Sequence, residues 1–148
     1  MKKIIPQAAR IEHIGSTAIS SIWAKPIIDI LVEVPKGCDL AGIKDLLIKN
    51  GYTCMSHSAG RYSFNKGYTE NGFAEKVFHL HLRCVGDNDE LYFRDYLVEH
   101  PDAAREYEKM KLTLWKKFEH NRDGYTHAKT GFVQKYTGEA KLRYGNRY

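Results

Sequence analysis

Ile11-Glu12-His13-Ile14-Gly15-Ser16-Thr17-Ala18, followed by Lys25-Pro26-Ile27-Ile28-Asp29-Ile30-Leu31-Val32-Glu33-Val34, is the stretch that decides the fold. Arg10–Ile14 reads as a short strand that runs into a Gly-Ser turn. Lys25–Val34 is apolar on both faces, the pattern of an internal strand covered on both sides, and Pro35 ends it. A glycine at such a turn lets backbone approach a phosphate closely, and the following N–H groups and hydroxyls of Ser16 and Thr17 can donate to it. Asp29 sits in an otherwise apolar strand, where a carboxylate is costly unless partnered. It needs a cation, a metal or a hydrogen-bond network. The plain alternative is a simple turn and a satisfied core carboxylate.

Working outward, Asp39 is an N-cap for a helix carrying Leu40, Ile43, Leu46 and Leu47, with Gly51 as its stop. Tyr52–Ser56 and Tyr62–Lys66 read as strands around a turn at Ser58–Gly60. Val77–Arg83 alternates: Val77, His79, His81 and Arg83 share one face, and Phe78, Leu80 and Leu82 the other. Asn88 is expected to cap a helix over Asp89–Glu99. Pro101 opens another helix to about Phe118, with Ala104, Tyr107, Met110 or Lys111, Leu114 and Phe118 inward. A last helix spans Tyr125 to about Tyr144, weakened at Gly131 and Gly138. The expectation is one α+β domain over residues 1–148, with a mixed sheet in the first half and helices from the second packed on it.

The 148 residues, 43% apolar and 28% charged, suit one ordered domain and exclude wholesale disorder. No apolar run approaches the ~20 residues of a membrane helix. The start Met1-Lys2-Lys3-Ile4-Ile5-Pro6 lacks the apolar core of a signal peptide, so a cytoplasmic protein is expected. Cys38, Cys54 and Cys84 are odd in number and lack CxxC spacing, which argues for reduced thiols. The net charge of +5 favours anionic ligands. Lys109, Lys111, Lys116 and Lys117 surround Trp115, but Glu106, Glu108 and Glu119 interleave, so an ion-paired face is favoured over nucleic-acid binding. No GxSxG, HExxH or GxxxxGK[ST] string occurs.

Gly15-Ser16 followed by a strand Asp is similar to the signature of the nucleotidyltransferase superfamily. More specifically, the string from Ile11 to Val32 resembles the opening motif of the GrpB family. Further matching segments follow in order: Gly60-Arg61, His79-Leu80-His81-Leu82, Phe93-Arg94-Asp95-Tyr96-Leu97, His100-Pro101, Tyr107, Lys111 and Tyr125-Thr126-His127-Ala128-Lys129-Thr130. The resemblance covers about Arg10 to Tyr136. It implies a nucleotidyltransferase-like fold, and related domains occur fused to dephospho-CoA kinase, which suggests that enzyme as a partner. Chains of the family usually carry a longer segment, including a helix, before the first motif strand; nine residues precede Arg10 here. A surface left exposed by a missing helix would promote homodimerisation.

The superfamily pattern places a second carboxylate two residues after the first, ~6.6 Å along one strand face, to grip a metal pair. Here that position is Leu31. Glu33 shares the face of Asp29 but lies roughly 13 Å away, too far for one metal centre. His79 and His81 are the substitutes. If their strand neighbours that of Asp29, three side chains converge. They would then hold Mg²⁺ or Mn²⁺, hydrogen-bond a phosphate, or move a proton. The plain alternative is two polar residues on the open face of an edge strand.

The candidate catalytic and metal-binding set is therefore Asp29, His79 and His81. Candidate phosphate or nucleotide contacts are Gly15, Ser16, Thr17, Lys25, Arg61, Arg94 and Lys129, with Lys66 a further cation to weigh. His13 and Asp95 are weaker candidates for the same cleft. The functional expectation is binding of a nucleotide or another phosphate-bearing small molecule, with metal-dependent nucleotidyl transfer. The competing expectation is a non-catalytic nucleotide- or partner-binding module related to coenzyme A biosynthesis enzymes.

Overall fold

The computed structural model describes residues 1–148, the side chain of Arg122 excepted. The chain is a mixed α+β protein. In order it forms β1 (Arg10–Ile14), a 3-10 turn (Ser16–Ala18), β2 (Ile27–Val34), α1 (Leu40–Lys49), β3 (Thr53–Ser58), β4 (Arg61–Thr69) and β5 (Gly72–Cys84). Helices α2 (Asp89–Glu99), α3 (Pro101–Lys117) and α4 (Arg122–Tyr144) follow. Two compact units result: Met1–Ala18 with Ala24–Asn88, and Ile19–Trp23 with Asp89–Tyr148.

The first unit holds a five-stranded sheet in the order β1-β2-β5-β4-β3. Only the β2–β5 pair is parallel; β1–β2, β3–β4 and β4–β5 are antiparallel. The apolar strand β2 is internal, as its two-sided pattern requires. One face carries Val32, Val34, Phe64, Leu80 and Leu82, buried in one cluster with Ile43 and Leu47 of α1. Ile5 and Ala8 of the N-terminal segment are buried in the same cluster. Asp39 caps α1 by accepting from the Gly42 N–H at 2.9 Å. Lys66, a further candidate cation, reaches toward this same α1-side face. Its ammonium donates to the Asn50 carbonyl at 2.8 Å and lies over the Tyr52 ring.

The second unit is helical. Pro101 occupies the first turn of α3. Ile19, Leu97, Ala104, Tyr107 and Tyr136 form its core. The rings of Tyr107 and Phe132 stack at 5.3 Å, so these positions of α3 and α4 face each other. Asn88, directly before α2, donates its side-chain amide to Glu33 at 3.0 Å. The three cysteines are free. Among the described residues, no helix is long and apolar enough to cross a membrane.

Candidate functional site

The motif turn is built around a close approach. Ile14 pairs with Asp29 across β1 and β2, and the chain then reverses through Gly15 at φ +71°. A Cβ at Gly15 would lie 2.2 Å from Asp29 Oδ2 and 3.0 Å from Asp29 Cβ. Only glycine fits there, on grounds of both conformation and space. The Thr17 hydroxyl donates to the Ile27 carbonyl at 2.9 Å, and its oxygen accepts from His13 Nε2 at 2.9 Å. Thr17 and His13 thus tie the turn to the start of β2. Ser16 stands in the 3-10 turn, beside the glycine.

The parallel register of β2 and β5 sets Asp29 opposite His79 and Leu31 opposite His81. The three candidate catalytic side chains therefore come together on the sheet face away from α1. His79 Nδ1 lies 3.2 Å from Asp29 Oδ1, and His81 Nε2 lies 3.9 Å from the same oxygen. Each side chain keeps 22–27% of its surface exposed, so a solute can reach them. Burial pushes the Asp29 carboxyl up, but hydrogen bonds and charge from His79 and His81 outweigh it and hold it at about 2. Asp29 is an anion across the physiological range.

The surrounding partners assign the imidazole protons. An arginine can only donate, so His81 Nδ1 accepts from Arg83 at 3.3 Å and its Nε2–H faces Asp29. In the neutral tautomer that directs Nδ1–H at Asp29, His79 accepts the Tyr68 hydroxyl at Nε2, 2.8 Å away. Asp29, His79 and the Tyr68 hydroxyl form a line in which a carboxylate orients an imidazole toward an O–H group. That is the arrangement by which a histidine takes a proton from a hydroxyl.

A divalent ion held here would displace the imidazole protons nearest the carboxylate, since a metal ligand offers a lone pair. Among the described residues, no group of three His, Cys, Asp or Glu side chains is set to hold a metal ion. Asp29, His79 and His81 stand together on one face of the sheet. Glu33 is occupied elsewhere. It is 1% exposed, accepts from the Gly86 N–H and the Asn88 amide, and pairs with Arg10 at 3.4 Å.

Two site residues escaped the sequence reading as contributors. Arg83 shares the histidines' parity and was visible as a face-mate; its role in fixing His81 was not. Tyr68 was outside the expected strand altogether. Arg61, expected on a phosphate, meets Asp87: its Nε donates at 2.6 Å and a terminal nitrogen donates to the other oxygen. Lys25 is exposed just before β2, and partial burial lowers its ammonium pKa.

Arg94 and Lys129 belong to the second unit. Arg94 pairs with Asp95 at 2.8 Å and donates to the Tyr148 hydroxyl at 3.2 Å. Asp95, in turn, takes Arg147 and the Tyr148 hydroxyl. Lys129 lies over the Tyr125 ring at 5.3 Å. Lys111, read only as an inward or surface position, is 8% exposed. It donates to the Trp23 carbonyl at 3.1 Å and sits over Tyr107.

Comparison with known proteins agrees with this architecture. Residues 1–139 match the GrpB protein family. The glutamate-rich protein GrpB of Alkalihalophilus pseudofirmus is 37% identical over 139 residues, covering 90% of this chain and 79% of that protein. A UPF0157 protein of Pseudomonas aeruginosa is 37% identical over 133 residues, and the match covers 88% of this chain but 54% of that protein. For the UPF0157 protein YqkA of Bacillus subtilis the share of the relative is 32%. The chain thus spans about half or less of the length of these two relatives. The crystal structure of the conserved protein GrpB from Enterococcus faecalis superposes with a TM-score of 0.81 at 30% identity, over 97% of this chain and 87% of that one. The Cid1 poly(U) polymerase bound to MgATP superposes with a TM-score of 0.55 at 15% identity, over 86% of this chain and 43% of that one, a likeness of fold alone. The sequence motifs, the mixed sheet and these matches together place the chain in the GrpB family.

Proposed function

We propose that the first unit binds a nucleotide at the face of Asp29, His79 and His81, with the Gly15–Thr17 turn receiving its phosphates. The observation that carries this is the Asp29–His79 pair seated directly against the Gly15 turn. The nucleotidyltransferase-like fold supports the reading, and Cid1 structures holding MgATP or 3′-dATP make nucleoside triphosphates the first ligands to test. In a transfer reaction, an acceptor hydroxyl would take the place of the Tyr68 hydroxyl at His79 Nε2. It would give its proton to that nitrogen as its oxygen bonds the α-phosphorus and pyrophosphate departs. Asp29 would hold the resulting imidazolium.

Leu31, at the place of a second carboxylate, favours one other reading: a module that binds the nucleotide without transferring it. A thermal-shift panel separates the two. ATP, UTP, CoA and dephospho-CoA are each tested with and without Mg²⁺ or Mn²⁺, on wild type and Asp29→Asn. A ligand at about 100 times its Kd adds about 2.7 kcal/mol, several degrees for a chain this size. A shift that needs the cation and Asp29 supports transfer. A cation-independent shift supports the binding module. No shift with any ligand refutes both.

A further inference from the structure

The hairpin of β4 and β5 carries two exposed aromatic side chains beside the candidate site. Phe73 is 72% exposed and Tyr68 47%. Alternation along a regular strand would put Tyr68 on the same face as Lys66, which reaches Asn50 and Tyr52 on the α1 side. The register between β4 and β5 shifts between Lys66 and Tyr68, at Gly67. Gly67 has φ +95°, and a Cβ there would lie 2.2 Å from the Lys76 carbonyl oxygen. The irregularity turns Tyr68 over to the face of Asp29, which is what a bulge beside a site does.

Three rings then run outward from Asp29. His79 touches the carboxylate, the Tyr68 ring stacks on His79 at 5.9 Å and 8°, and Phe73 meets Tyr68 edge-on at 5.3 Å. The inner end of this row is polar and anionic; its outer end is apolar and open to solvent. We propose that Tyr68 and Phe73 are a stacking shelf for a nucleobase whose phosphates lie toward the Gly15 turn. The inference rests on the nucleotide reading above and names the part of the ligand that the hairpin selects. A shelf of this kind recognises any base by its π-face, so it confers preference for nucleotides over bare polyphosphates without strong choice among bases.

Isothermal titration with ATP, UTP and inorganic tripolyphosphate, on wild type, Phe73→Ala and Tyr68→Phe, tests it. Phe73 is exposed, so its loss leaves the core intact. The expected result is that Phe73→Ala weakens ATP and UTP by about five- to hundredfold and leaves tripolyphosphate unchanged. Tyr68→Phe, which keeps the ring, should retain most of the nucleotide preference. Equal affinity of wild type and Phe73→Ala for ATP overturns the shelf. If neither ATP nor tripolyphosphate binds, the phosphate reading fails, and the shelf is judged separately by saturation-transfer NMR with millimolar adenosine. Transfer to the base protons that Phe73→Ala abolishes upholds the shelf; no transfer overturns it.

Discussion

His79 Nδ1 lies 3.2 Å from Asp29 Oδ1 across the one parallel strand pair of the sheet, and the two imidazoles beside it hold the Asp29 carboxyl at about 2. A carboxyl depressed in the folded state contributes stability that is present above its unfolded value near 3.9. That stability is lost as pH falls through the folded value. The contribution is roughly 2 kcal/mol. Urea midpoints for wild type should therefore fall between pH 4 and pH 2 more steeply than those of Asp29→Asn. Parallel pH profiles would show that the pair does not stabilise the fold.

Gly15→Ala should damage both the turn and Asp29. The new methyl would stand 2.2 Å from Oδ2 and 3.0 Å from Cβ, so rotating the carboxylate does not relieve the contact. The left-handed φ adds about 1 kcal/mol or more for a residue with a Cβ. The expected loss is about 2–4 kcal/mol, read as a fall in Tm of several degrees, together with loss of any nucleotide-dependent shift. A variant with wild-type Tm and wild-type ligand response would remove the close approach from the account.

Glu33 is expected to matter for folding and not for ligand. Glu33→Gln removes the charge that faces Arg10, in a side chain that also accepts from Gly86 and Asn88. Breaking such a buried network costs on the order of 1–3 kcal/mol. Denaturant unfolding should show that cost, while nucleotide affinity stays within about twofold of wild type, a few tenths of a kcal/mol. A large affinity loss in the folded variant would make Glu33 the second carboxylate after all.

Lys111 makes the second unit pH-sensitive in an alkaline window, where stability again rises with pH. Burial, joined by the charge of Lys129 and opposed by Glu108, lowers its ammonium to about 8. Between pH 8 and the unfolded value near 10.4 the unfolded chain binds the extra proton, so stability rises with pH across that window. The full effect is roughly 3 kcal/mol. Tm measured from pH 7.5 to 9.5 should climb for wild type and stay flatter for Lys111→Met. Equal slopes would mean that Lys111 is solvated as an ordinary lysine.

Local sequence determined most of the architecture. Two-sided apolarity made β2 internal, Asp39 and Gly51 bounded α1, and Pro101 opened α3, because these effects act within a few residues. The face shared by His79, His81 and Arg83 was also legible, since strand parity is a local property. What only the tertiary structure decided was partnership. The parallel register of β2 and β5 brought the histidines to Asp29. Arg61 and Arg94 were drawn to Asp87 and Asp95. The break at Gly67 reversed the parity that would have sent Tyr68 to the other face. The Asn88 amide N–H went to Glu33, because a buried carboxylate competes strongly for donors. Pairing across strands depends on register and on which charges meet after folding, and spacing along one chain specifies neither.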